Sequence, residues 1–333
     1  MNSAIITGMG YYVPDNVVTN KDLSKLMDTN DEWIVERTGI KERRWINNDE
    51  STSSMALEAS KNAIADAGID KTDVDFIIFA TLSPDYYFPG PGVTLQKELG
   101  LDTIGALDVR NQCSGFVYAL SIADQYIKTG MYQNILVVGS EYHSGGLDKT
   151  TKGRGVSVIF GDGAGAAIVS KSPTADRGIL STHLHAQGEH AEELTLIGPS
   201  TRRWVPEIID NAGKEDEAIY PYMNGTFVFK HAVTRFPQVI GEALSKNNLE
   251  STDIDLLIPH QANLRISQFV QKKMGLSDDQ VFNNIQKYGN TTAASIPIAL
   301  AEAKQAGKVK GGDLVCLAAF GSGFTWASAL IRW

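Results

Sequence analysis

Cysteine is nearly missing from this chain, with two residues, Cys113 and Cys316, in 333. That is too few for a disulfide scaffold, and it suits a reduced compartment. Long apolar runs are missing as well. No stretch approaches the roughly 18 residues a membrane span needs, and the opening MNSAIITGMG has no basic region followed by a long apolar one. Positive charge is in deficit: 30 Lys and Arg against 39 Asp and Glu give a net charge of -9. This argues against binding nucleic acid over a broad surface and makes any basic patch a local feature. The expectation is a soluble, cytoplasmic protein that binds neither nucleic acid nor membrane.

What is present is a 43% hydrophobic content over a length that suggests two units of about 150 residues. Residues 63–78, AIADAGIDKTDVDFII, match residues 243–258, ALSKNNLESTDIDLLI, as a helix end, a Thr-Asp-x-Asp turn and an apolar strand. The offset is 180, and it holds again for CSGFVYALSIADQYIKTGMYQNILVV from 113 against AASIPIALAEAKQAGKVKGGDLVCLA from 293. Two similar stretches at one offset indicate a duplicated half. The expected halves are 1–173 and 174–333, joined near SPTADRG, each alternating strand and helix.

Short apolar runs bounded by Gly, Asp or Pro predict strands at SAIITGMG, VDFIIFAT, NILVVGSE, GAAIVSK, GILSTHLHA, DLLIPH, DLVCLAAF and WASALIRW. Apolar residues three and four apart predict helices over 51–67, 113–129, 226–247, 262–274 and 294–306. The fold class is therefore α/β. Residues 188–222 have no clean period and predict a long surface excursion.

The segment DVRNQCSGFVYAL places Cys113 at the predicted start of the 113–129 helix. Free N–H groups of a first turn would favour thiolate there, yet a small buried hydrophobe is as natural a reading of the position. Cys316, inside the strand DLVCLAAF, reads as the latter. IPHQANLRI and YGNTTAASIP put polar residues where core residues could stand. Under the 180 offset His260 is the counterpart of Ala80, and Asn290 precedes the counterpart of Cys113 by three. Packing of the halves about a pseudo-twofold axis would line one pocket with Cys113, His260 and Asn290. His143, His183, His185, His190 and His231 show no metal-ligand spacing and are left out of the site.

The motifs WIVERTGI, CSGFVYAL, IFGDGAGAAIV, NGTFVFKHAV, PHQANLRI, YGNTTAASIP and FGSGFTW occur in that order along the chain. Together they resemble the β-ketoacyl-acyl carrier protein synthase III family, the initiating condensing enzymes of the thiolase superfamily. The resemblance implies a five-layered αβαβα thiolase fold, usually a homodimer. It implies that acyl-CoA and malonyl-acyl carrier protein are substrates, with no cofactor and no metal. Cys113 would take the acyl group, and His260 and Asn290 would stabilise charge on the malonyl thioester oxygen. The backbone N–H groups of Cys113 and Ser322 would form the hole for the acyl oxyanion. Ser322 departs from the three glycines usual there, which makes the geometry depend on whether the backbone tolerates a Cβ.

The resemblance also assigns Trp33 and Arg37 to the CoA adenine and Arg154, Gly225 and Asn263 to the CoA tunnel. Lys230, Arg265, Lys272 and Lys273 would form a cationic face for the acidic carrier protein. Asn111, Gln112, the FPGPG loop at 88–92 and the long 188–222 segment depart from the family pattern. They raise an alternative: a secondary-metabolite enzyme with a primer other than acetyl, or simple acyl transfer. A dehydrogenase reading of TGMGYYVP fails, since it lacks the third glycine and runs into Pro14. A degradative thiolase would carry another cysteine in the C-terminal glycine turn, and GSGF has none.

Overall fold

Phe76–Ala80 is buried at every residue, as a strand covered on both faces must be. It is one of nine strands in two sheets of the computed structural model, which describes residues 3–47, 49–174, 176–210 and 219–333. The first sheet runs in the order Ala4–Tyr12, Gly163–Lys171, Asn134–Glu141, Phe76–Ala80, Gly105–Val109. Phe76–Ala80 is parallel to both its neighbours, and the remaining pairs are antiparallel.

The second sheet repeats this plan with one strand fewer. Leu256–Pro259 is parallel to Leu314–Gly321, which is antiparallel to Thr325–Arg332, itself antiparallel to Gly178–Ala186. The 180 offset maps Asn134–Glu141 onto Leu314–Gly321 and the 3-10 turn Gln112–Ser114 onto Thr292–Ala294, residue for residue. The counterpart of Gly105–Val109 is the short helix Ile285–Tyr288, and a single bridge, Leu257 to Val281, stands at that edge. The strand Gly105–Val109 is missing from the sequence-based set because its burial is partial and its residues GALDV do not alternate.

Two helices fill the space between the sheets, Gly115–Lys128 and Ser295–Gln305, and each buries eight residues. Phe116 and Leu120 of the first share one core with Ile296 and Leu300 of the second and with Ile78, Val137, Leu317 and Ala329 of the sheets. The outer face of the first sheet carries Thr52–Ala67 and Pro91–Leu99, and that of the second carries Gly225–Lys246 and Leu264–Met274. This is the five-layered αβαβα arrangement expected from the resemblance.

Gly8 and Gly10 of TGMG serve this layering. A Cβ on either would stand 2.3 Å from a carbonyl oxygen of the Thr52–Ala67 helix, so the glycines let helix and strand close on each other.

The expected helix over 113–129 begins two residues late, at Gly115, because Gln112, Cys113 and Ser114 form the 3-10 turn. In the excursion, the short strands Leu194–Thr195 and Tyr222–Met223 pair, and the helix Val205–Asp210 lies between them. Its apolar side chains Leu196, Trp204 and Ile209 are exposed, and residues 211–218 lie outside the described residues.

Candidate active site

The two 3-10 turns meet where the halves meet. Cys113 stands in the first and is buried at 8% exposure; the Ser322 N–H, its own N–H and the Thr292 hydroxyl each favour the charged form of its sulfur. Gly321 permits the approach, since a Cβ there would lie 2.5 Å from Cys113 Cβ and 2.8 Å from Sγ. Ser322 has no left-handed backbone, and its hydroxyl donates to the Leu194 carbonyl at 2.5 Å. The Cβ that a glycine at this middle position would lack is therefore accommodated, and the Ser322 amide still favours the charged form of the sulfur.

The expectation that a helix start favours the thiolate is overturned. Cys113 precedes the helix, and its thiol is pushed up to about 12, first by burial and then by the nearby Glu141 carboxylate. Three donors do not offset the loss of water around the charged form.

His260 follows the strand Leu256–Pro259, its backbone N–H donating to Ala318 at 2.8 Å. Its Nδ1 lies 2.6 Å from the Ser295 hydroxyl, which also accepts the Gln261 N–H at 3.4 Å. A Ser295 hydroxyl that donates to Nδ1 places the ring proton on Nε2. Nε2 is buried and has no hydrogen-bond partner among the described residues. Burial pushes the imidazole down to about 3, so the ring is neutral.

Asn290 is set by the strap Ile159–Gly161 from the first half: its N–H donates to Ile159 and its carbonyl accepts from Gly161 at 3.1 Å. Its Oδ1 accepts the Thr292 N–H at 2.9 Å, leaving Nδ2 as the donor. The motif IFGDGAG thus acts structurally. Asp162 within it accepts from Ile46 N–H, His143 N–H and both Ser144 donors.

Glu141, fully buried, is a member of this site that sequence reasoning missed. It accepts from the Thr81 and Ser83 hydroxyls at 3.1 and 2.6 Å and from the Leu82 N–H, and burial pushes it up to about 7. Thr292, His143 and Ser295 were missed as well. The one signal for Thr292 was the 180 offset from Gln112, next to the cysteine.

Four of the residues expected to bind CoA, Trp33, Arg37, Arg154 and Asn263, are linked by direct contacts. Trp33 and Arg37 share the helix Asp31–Thr38, with the guanidinium 4.5 Å from the ring centroid, and Arg154 reaches the same ring at 5.1 Å. Asn263 caps the Leu264–Met274 helix and donates to the Arg37 carbonyl at 2.9 Å. Gly225 opens the Gly225–Lys246 helix with open space beside it, a Cβ meeting only Met223 Cε at 3.9 Å. Lys230, Arg265, Lys272 and Lys273 are all exposed on these two helices, and Arg265 crosses to the ring of Phe229 on the other.

The sequence pattern described as 3-Oxoacyl-[acyl-carrier-protein (ACP)] synthase III matches residues 107–188, and its C-terminal counterpart matches 244–333. The β-ketoacyl-[acyl-carrier-protein] synthase III of Salmonella paratyphi A is 48% identical over 327 residues, 98% of each chain. That of Aliivibrio fischeri is 46% identical over the same coverage. The chain belongs to the β-ketoacyl-[acyl-carrier-protein] synthase III family. A crystal structure of the synthase III from Aquifex aeolicus VF5 superposes with a TM-score of 0.90 at 42% identity, covering 100% of both chains. The chain is thus an acyltransferase-type condensing enzyme with the thiolase fold of the synthase III family. Among the described residues, no helix is long and apolar enough to cross a membrane, and no group of three His, Cys, Asp or Glu side chains could hold a metal.

Proposed function

We propose that the chain condenses an acyl-CoA primer with malonyl-acyl carrier protein, releasing carbon dioxide, to give 3-oxoacyl-acyl carrier protein. What supports this reading is a buried Cys113 thiol that the N–H groups of Ser322 and of Cys113 itself favour in its charged form, together with a neutral His260 whose Nε2 is buried without a partner. The Cys113 sulfur attacks the acyl thioester carbonyl, the oxyanion is held by the N–H groups of Cys113 and Ser322, and the CoA thiol leaves with a proton. The malonyl thioester then loses carbon dioxide. Its electron pair passes to the thioester oxygen, where His260 Nε2–H and Asn290 Nδ2–H receive the charge, and returns through carbon to attack the acyl carbonyl; the carbon–sulfur bond to Cys113 breaks, and the released thiolate takes a proton from solvent. A neutral imidazole suits this role, since it donates without having to surrender a proton.

In this reading the CoA rim is Trp33, Arg37, Arg154, Gly225 and Asn263. The carrier protein docks on Lys230, Arg265, Lys272 and Lys273, and the halves 1–173 and 174–333 supply Cys113 and the His260–Asn290 pair respectively. Two copies form a homodimer that works in the cytoplasm without a cofactor.

The test is intact-protein mass spectrometry after mixing with acyl-CoAs of two to about ten carbons, a span suited to a pocket of ordinary ligand size. Malonyl-acyl carrier protein follows, with C113A as control. An adduct absent from C113A and discharged as a ketoacyl product supports the reading and names the primer. No adduct with any primer overturns it; an adduct that malonyl-acyl carrier protein fails to discharge reduces it to simple acyl transfer.

A further inference from the structure

His143 lies outside the assigned triad, on the turn that follows the strand Asn134–Glu141. Its Nε2 stands 2.8 Å from the Thr292 hydroxyl, and that hydroxyl favours the charged form of the Cys113 sulfur. The chain Cys113–Thr292–His143 is therefore a route to the thiol that does not use His260. Thr292 is held in a conformation that a β-branched residue rarely adopts, with φ at 48°. Such backbone persists only where the surroundings over-determine it. Here Asn290 Oδ1 fixes the Thr292 N–H, and Asp162 fixes the His143 N–H at 2.7 Å. The imidazole also lies against Phe160, its ring centroid 4.8 Å away.

We propose that His143 is a positioning residue for the nucleophile: its Nε2–H donates to Thr292 Oγ1, which turns the threonine's own proton onto Cys113 Sγ. No proton changes owner in this arrangement. With His143 present the hydroxyl has one rotor position that satisfies both neighbours. Without it the hydroxyl is free to accept from the thiol instead, which stabilises the unreactive form. The inference rests on Cys113 being the nucleophile proposed above. Burial lowers the His143 pKa, so the ring is neutral at the pH where the enzyme would work. Other titratable or charged groups near this chain are Glu141, which acts on Cys113, Asp162 beneath His143, and His260. Arg43, fully buried, has its guanidinium bonded to the Val158 carbonyl.

The experiment measures alkylation of Cys113 by iodoacetamide across pH 6 to 10, with acylation by acyl-CoA followed in parallel. A hydrogen bond to a charged group is large enough that T292V should alkylate about tenfold more slowly at a given pH, its rate–pH line displaced to higher pH. T292S, which keeps the hydroxyl, should return to the wild-type line. H143L should slow alkylation in the same direction by a smaller factor, and H143Q, which keeps an N–H near the Nε2 position, should restore it. T292V on the wild-type line would overturn the proposal, and so would H143L on that line. If H143L fails to fold, H143N takes its place, since its shorter amide cannot reach Thr292 Oγ1: slowed alkylation supports the proposal and the wild-type line overturns it. Failure of the condensing reading looks different: wild-type Cys113 would then alkylate but take no acyl group from any acyl-CoA.

Discussion

At the scale of single residues, the site depends on which proton sits where. In the proposed reading His260 is useful as a donor only if Nε2 keeps its hydrogen, which a Ser295 hydroxyl donating to Nδ1 would secure. Ser295→Ala should therefore lower the condensation rate by up to about 10²-fold, less than losing a donor outright, while acylation of Cys113 stays near wild type. Following the two half-reactions separately checks this, and an equal loss in both would overturn it. The same burial gives a stability signature. In the folded chain His260 stays neutral down to about 3, whereas unfolded it takes a proton below roughly 6.5. The unfolded state thus binds more protons across that window, and stability falls as pH falls from 6.5 toward 3. Glu141 acts in the opposite sense, keeping its proton up to about 7 and costing stability as pH rises from the ordinary carboxylate range. Against that common background, His260→Asn should lose less of its melting temperature than wild type over the acid window; parallel declines would show that His260 is not held neutral. His260 and Asn290 were legible in the sequence as polar residues where core residues could stand, and Cys113 by its place beside a predicted helix start. Ser295, Thr292 and His143 were not, because a hydroxyl at a helix start or a histidine after a strand is ordinary until its partner, up to 149 residues away, is in place.

At the scale of elements, the 180 offset was the informative feature. It foretold that strand, turn and helix recur, and the turns Gln112–Ser114 and Thr292–Ala294 show the recurrence residue for residue, including a left-handed first residue in both. The sequence did not show that the duplication is unequal. The strand Gly105–Val109 has only a bridge and a short helix opposite it, since partial burial leaves no clean hydrophobic period to read. How tightly the layers close was equally hidden, being set by glycines. Gly165 faces the Ser295–Gln305 helix, where a Cβ would lie 2.7 Å from both Ile298 N and Pro297 Cβ. Gly165→Ala must push that helix from the sheet, and we expect a loss of about 1–3 kcal/mol in urea unfolding. The displacement would carry Ser295 with it, so condensation should fall more than acylation. A variant as stable as wild type would show that the helix has room to give.

At the scale of the whole molecule, one surface is unlike the rest. Tyr86, Tyr87 and Phe88 are 60%, 61% and 81% exposed, and Tyr87 comes within 6.5 Å, centroid to centroid, of Trp204 from the excursion. An exposed aromatic patch joining two separate segments marks an interaction site. The loop is not free of the active site either. Its root, Thr81 to Ser83, is bonded to Glu141, and Glu141 acts on the Cys113 thiol. If a second copy covers this patch, the loop is clamped at both ends, by the partner at its tip and by Glu141 at its root. The double variant F88E/W204E should then sediment as a monomer at micromolar concentration where wild type sediments as a dimer. Burying two carboxylates without partners is unfavourable enough to open an interface of ordinary size. The released loop should also slow acylation of Cys113 without unfolding the chain, which circular dichroism would confirm. A variant that remains dimeric would move the interface elsewhere, and a monomer that acylates at the wild-type rate would uncouple the loop's tip from the nucleophile.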